Sequence, residues 1–161
     1  MVLAFSGHRP ERLPWREDES DPRCVALRAV LRARIMQAVE GGCTEFLCGM
    51  ARGCDFYFAE EMLALRPQFP GLRLKAVLPC PSQADAWGET DRRRYHGLCA
   101  QCAAVLTLEP SYTTGCMLRR NRWMVGHADV LLTVYDGGGG GTAYAVGCAE
   151  RLDVPVWPVW L

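Results

Sequence analysis

Short apolar runs and longer amphipathic stretches alternate along the whole chain. Residues 2–5, 45–48, 72–78, 104–108 and 129–135 are compact apolar segments bounded by glycine, proline or polar residues, the pattern of buried strands. Between them the apolar positions recur three and four apart. Asp21-Pro22 is a helix opening, a capping side chain followed by proline at the first position. Leu27, Leu31 and Ile35 then share one face, flanked by Val30 and Ala38, until Gly41-Gly42 ends the helix. A second helix follows residues 49–55 with Phe58, Met62 and Leu65 inward, and Pro67 and Pro70-Gly71 stop it. Residues 91–102 predict a third, with Tyr95, Leu98 and Cys102 inward, and residues 116–128 a fourth. A last helix after Gly141 turns Ala145, Val146, Ala149 and Leu152 toward the sheet. Residues 155–160 read as a terminal edge strand, because Pro155 and Pro158 cannot donate to a central ladder.

Strand and helix in strict alternation imply an α/β fold, a three-layer sandwich with a mostly parallel sheet and right-handed crossovers. The 161 residues fit one domain spanning 1–161. In a parallel sheet the loops at 6–10, 49–55, 79–83, 109–115 and 136–142 all fall on the carboxyl edge, where open α/β sheets hold ligands.

One of those loops has a chemistry of its own. Tyr135-Asp136 leads into five glycines, 137–141, and Thr142, between a strand and a small-residue helix. Glycine lets the backbone approach a ligand, and a helix beginning there offers unpaired N–H groups and the positive end of its dipole to an anion. Eighteen basic and eighteen acidic residues cancel, so an anion site must be local and nucleic acid is not favoured as a partner. All but one of the basic residues are arginine, Lys75 being the exception. Arg92-Arg93-Arg94 cannot share one helix face and is expected to be largely solvated. Nine scattered cysteines read as reduced, mostly buried small residues. Cys99 and Cys102 form a close pair without two further ligands at matching spacing, so no metal and no cofactor is expected. The apolar start at residues 2–5 is too short for a signal peptide and no apolar run reaches the roughly 18 residues of a membrane span, so the expected location is cytoplasmic.

Several segments, taken as an ordered set, resemble the YpsA-like proteins of the SLOG superfamily, named for the Smf/DprA and LOG proteins. They are Ser6-Gly7-His8-Arg9-Pro10, the stretch 48–55 (Cys-Gly-Met-Ala-Arg-Gly-Cys-Asp), Gln83 with Trp87, Arg94-Tyr95, residues 112–117, Arg120-Asn121-Arg122 with Met124-Val125, and 135–142. The resemblance implies a Rossmann-like fold and a site for a nucleotide or nucleotide-derived ligand. On that reading the phosphate rests on Gly139, Gly140, Gly141 and Thr142, with Gly49, Met50 and Gly53 as a facing wall. Arg120 supplies charge, Asn121 a hydrogen bond, and Ser6, Gly7 and Arg9 a rim. Met50, Tyr112 and Tyr144 are candidates to pack on a base.

The chain departs from the LOG pattern, in which a glutamate follows the glycine-glycine-threonine motif within one helical turn. Ala143, Tyr144 and Ala145 stand there instead, and Glu150 lies about 12 Å further along the helix axis than Thr142. Asp55 and Asp136 are the weak substitutes for a catalytic carboxylate, each more readily a cap or turn former. A nucleotide-binding sensor or regulatory module is therefore the first reading. A phosphoribohydrolase acting on a nucleoside monophosphate and a DprA-like binder of single-stranded DNA are the alternatives, and self-association is left open.

Overall fold

The computed structural model describes residues 1–161. Six strands form one parallel sheet: β1 (Val2–Gly7), β2 (Glu45–Cys48), β3 (Arg73–Leu78), β4 (Ala104–Thr107), β5 (Val130–Tyr135) and β6 (Val156–Trp160). Their spatial order is β4-β3-β2-β1-β5-β6. Five helices connect them: α1 (Pro22–Glu40), α2 (Cys54–Leu65), α3 (Glu89–Gln101), α4 (Cys116–Gly126) and α5 (Gly141–Arg151). A short 3-10 turn, Pro10–Arg12, follows β1. The expected α/β architecture with a parallel sheet is the observed one, Rossmann-like in its layers. No helix is long and apolar enough to cross a membrane.

Period-two alternation decides which residues meet which layer. Leu3 and Phe5 of β1 point to one face, where they join Leu27, Leu31 and Ile35 of α1 and Phe58 and Met62 of α2. Phe5 stacks on Phe58 with ring centroids 4.3 Å apart. Each such fully buried side chain contributes roughly 1.5–3 kcal/mol relative to an exposed one, so this face carries most of the apolar stabilisation. Ala4 points the other way, to a smaller cluster with Met124 and Val125 of α4 and Ala145, Cys148 and Ala149 of α5. Alanines on both sides of that contact let α5 approach the sheet closely.

Two expectations change in detail. Leu152 is half exposed rather than packed on the sheet, because α5 ends at Arg151 and residue 152 is already its cap. Arg92 and Arg93 are solvated as expected. Arg94, however, turns inward, donating from Nε and Nη2 to Glu60 at 2.7 and 2.9 Å and lying 5.2 Å from the Phe56 ring centroid. Seven of the nine cysteines are buried and all are free thiols.

From β1 the chain builds outward through β2, β3 and β4, then returns to the other side of β1 with β5 and β6. The connections on either side of β1 therefore leave the sheet in opposite directions, which opens a crevice at the carboxyl ends of β1 and β5.

Candidate functional site

The crevice holds a cavity of about 320 Å³. Its walls come from segments distant in sequence: Ser6 and Gly7 at the end of β1 with His8 and Arg9 after it, Arg12 on the 3-10 turn, Asp55 at the start of α2, Arg120 and Asn121 on α4, and Gly140 to Thr142 at the start of α5.

The α5 end is a bare helix terminus. Gly140 is its N-cap, with φ 125°, and has no side chain to cap the first turn. The first N–H to return to the loop is that of Tyr144, which donates to Gly140 O at 3.0 Å. The N–H groups of Gly141, Thr142 and Ala143 find no acceptor within the chain. Asn121 Nδ2 donates to Gly141 O at 3.1 Å and Ser6 Oγ to Thr142 Oγ1 at 3.4 Å, so the terminus is held from two sides. Arg12 lies directly on the glycine run. A Cβ at Gly138 would meet its Nη2 at 2.4 Å, and one at Gly140 its Nη1 at 2.7 Å. Glycine here makes room for a guanidinium as well as for a ligand.

Asp136 anchors this arrangement. Its carboxylate accepts from the Gly138 N–H at 2.8 Å, and lies 2.8 Å from His8 Nε2 and 3.5 Å from Arg12 Nη2. The Gly138 N–H, then His8, hold the carboxyl down at about 2. His8 itself is buried and walls the cavity.

The inner wall is built on Arg120. Its guanidinium donates to Gly49 O, to Val77 O at 3.2 Å and to Gln83 Oε1 at 3.4 Å, while Nε donates to Asn121 Oδ1 at 2.8 Å. A Cβ at Gly49 would sit 2.2 Å from Arg120 Nη1, so glycine at 49 is required by the arginine. Gln83 Nε2 completes the clamp, donating to Gly49 O at 3.0 Å and Met50 O at 3.1 Å. Burial lowers the Arg120 pKa, with Asp55 acting in the opposite direction. Burial likewise pushes the Asp55 carboxyl up, with Arg120 opposing, while its Oδ2 accepts from the Ala51 N–H at 3.0 Å.

Of the residues singled out in the sequence, Ser6, Gly7, Arg9, Asp55, Arg120, Asn121, Gly140, Gly141 and Thr142 share this cavity wall. Gly139 and Asp136 are neighbours of its wall, whereas Gly49, Met50 and Gly53 do not form the expected facing wall, and Gly53 lines a separate cavity with Arg52, Asp91 and Arg94. Met50 is fully buried, and a Cβ at Gly53 would meet His8 O and Pro10. Tyr112 is exposed, and Tyr144 packs with the α4/α5 cluster. Arg12, and the pairing of His8 with Asp136, are what sequence reasoning did not assign. Arg12 lies in none of the resembling segments, and the contact of His8 with Asp136 spans 128 positions.

The YpsA model, described as the YspA SLOG family, matches residues 3–151. The chain belongs to this family. Among relatives of this SLOG family member, a UPF0398 protein of Bacillus pumilus is 28% identical over 138 residues, 84% of this chain and 73% of the relative. The UPF0398 protein YpsA of Bacillus subtilis is 25% identical over 154 residues, 93% of this chain and 84% of the relative. Two solved structures share the fold. The DNA processing protein A of Helicobacter pylori, described in terms of its single-stranded DNA binding mode, has a TM-score of 0.65 at 16% identity over 98% of this chain. DprA of Streptococcus pneumoniae has a TM-score of 0.64 at 14% identity over the same share. The SLOG chain spans 64% of the first structure and 49% of the second, so each is a longer protein of which only part is matched.

Proposed function

We propose that the protein binds a nucleotide or nucleotide-derived small molecule in the crevice between β1 and β5, acting as a sensor or regulatory module. The observation that carries this reading is the bare α5 terminus under Arg12. Unpaired N–H groups of Gly141, Thr142 and Ala143 and an adjacent guanidinium form an anion cradle in which both the helix dipole and a fixed charge favour phosphate. The rest of the cavity adds the Asp55 carboxyl, able to accept from a ribose or base, while Asn121 holds Gly141 O at the cradle. Membership of the SLOG family supports the same ligand class. A second reading, binding of single-stranded nucleic acid, is favoured by the likeness to DprA. A LOG-like hydrolase acting at the glycosidic bond is less supported, since Ala143, Tyr144 and Ala145 stand where its glutamate would be.

The test is a melting-temperature screen with nucleoside mono- and diphosphates and sugar nucleotides. A ligand at 100 times its dissociation constant adds about 2.7 kcal/mol to the folded state. Arg12→Ala is expected to weaken the response about tenfold or more, the value of one charge-assisted contact of roughly 1.5–3 kcal/mol. A panel that leaves melting unchanged and gives no calorimetric heat would overturn the proposal.

A further inference from the structure

The outer strands of the sheet are β4 and β6, and only one of them is guarded. β6 carries Pro158, whereas residues 102–108 of the β4 segment read Cys-Ala-Ala-Val-Leu-Thr-Leu, with no charge, proline or glycine. An edge of that kind is a template for another strand. β4 pairs with β3 in parallel from Ala104 to Thr107, and the Leu108 N–H donates to Leu78 O at 2.9 Å. Alternate residues turn their backbone groups to opposite sides, so Ala104, Leu106 and Leu108 serve β3 while Val105 and Thr107 direct N–H and C=O to the open side. The Ala103 N–H is taken by Leu74 O at 2.7 Å, so the open row begins at Val105. Side chains alternate across the sheet as well. Ala104 and Leu106 line a shallow apolar cavity of about 330 Å³ with Val2, Leu47 and Trp123. Val105, on the opposite face, is 48% exposed.

We propose that this edge is a self-association surface whose occupant is β4 of a second copy of the chain, paired antiparallel about a two-fold axis at Leu106. Such a contact sets one patch against itself, so each residue must suit its own image. Val105 exchanges both backbone hydrogen bonds with Thr107 of the other copy, Thr107 does so with Val105, and Leu106 meets Leu106 on the axis. On that face Ala104 lies opposite Leu108 of the other copy, so the apolar stripe runs unbroken across the axis. On the other face Val105 lies beside Thr107, a β-branched pair that packs well on a sheet. The charges at the ends agree with this register. Arg66 donates to Gln101 O just before β4, and Glu109 follows it. Antiparallel pairing sets Ala103 of one copy opposite Glu109 of the other, which brings Arg66 toward an unlike charge, and no charged residues oppose one another along the paired stretch. Pairing of β4 with β6 of another copy would instead propagate into a filament, and Pro158 opposes it. The two crevices lie at opposite edges of the joined sheet and stay open, so the association is independent of the nucleotide reading.

Sedimentation equilibrium of the full chain across the micromolar range tests this, since a contact built on one short strand is expected to be weak. Val105→Pro deletes a donor that β3 does not use and is expected to weaken dimerisation at least about tenfold. Val105→Lys sets a charge on the same edge, is expected to act in the same direction, and carries the test should Val105→Pro not fold. Amide exchange locates the contact: the Val105 and Thr107 N–H groups are expected to slow as concentration rises, while those of Val156 and Trp160 on the β6 edge do not. A chain that stays monomeric throughout would overturn the proposal. So would a dimer that the variants leave intact, or one in which Val105 and Thr107 exchange as fast as in the monomer.

Discussion

At the scale of single residues, the site couples a buried charge to a functional wall. Asp55 is enclosed, and the burial penalty on its carboxylate outweighs the attraction of Arg120 and the Ala51 N–H, so its pKa is raised. The folded state therefore binds this proton more tightly than the unfolded chain does. Stability conferred by that proton is present below the ordinary carboxylate value of about 3.9 and is lost as pH rises through the raised folded value. At neutral pH the raised pKa is a net cost to folding. Asp55→Asn keeps an oxygen for the Ala51 N–H and removes the charge, so the variant is expected to melt higher than the parent at pH 7. The gap should narrow as pH falls toward the ordinary carboxylate value, where the proton bound in the folded state relieves the cost of burial. Parallel melting curves at pH 4 to 8 check this, and a gap independent of pH would show that Asp55 has the same pKa in the folded and unfolded chain. A residue that costs stability where it is charged, on the wall of a cavity, fits retention for ligand recognition.

At the scale of elements, most of the order was legible from the chain, because hydrophobic period reports strand and helix directly. β2 coincides with the apolar run 45–48, and Asp21 caps α1 with its side chain accepting from the Arg23 N–H. What periodicity does not carry is which strands are neighbours. His8 and Asp136 meet only because the chain returns to place β5 beside β1, and Gly49 needs to be glycine only because Arg120 reaches it from α4. Of the five carboxyl-edge loops, those at 79–83 and 109–115 do not wall the cavity, since β3 and β4 lie away from the switch point. Gln83 still acts on it indirectly, through Gly49 and Met50. The prolines of β6 were legible in kind, and the register gives them a purpose. Pro155 O and the Leu161 N–H both bond to β5, so residues 155, 157, 159 and 161 face the sheet and Pro158 faces the open edge. Its missing N–H interrupts the row of donors on which another strand would pair. Pro158→Val is expected to leave the monomer fold intact and to aggregate sooner on heating, visible as light scattering that begins at a lower temperature than in the parent. Identical scattering onset would mean that the edge is protected by something else.

At the scale of the whole molecule, the question is whether this crevice serves a small nucleotide or a strand of nucleic acid, and electrostatics separates the two. Binding of single strands releases counterions in proportion to the phosphates contacted, with a slope of log K against log salt of about −0.7 per phosphate. The chain carries no net charge to spread that contact over a surface, and its cavity gathers three arginines, 9, 12 and 120. Arg120 already donates to Gly49, Val77, Gln83 and Asn121, so its charge is largely committed inside the protein. Arg9 and Arg12 remain, enough for one or two phosphates. An oligonucleotide is then expected to bind no more tightly per site than a mononucleotide, with a slope no steeper than about −2 even if all three arginines count. Titration of a fluorescent single strand against the mononucleotide that best shifts melting, from 50 to 300 mM salt, makes the comparison. If the strand binds much more tightly and its slope is several units steep, contacts lie well beyond the crevice, and the single-stranded nucleic acid reading replaces the nucleotide one.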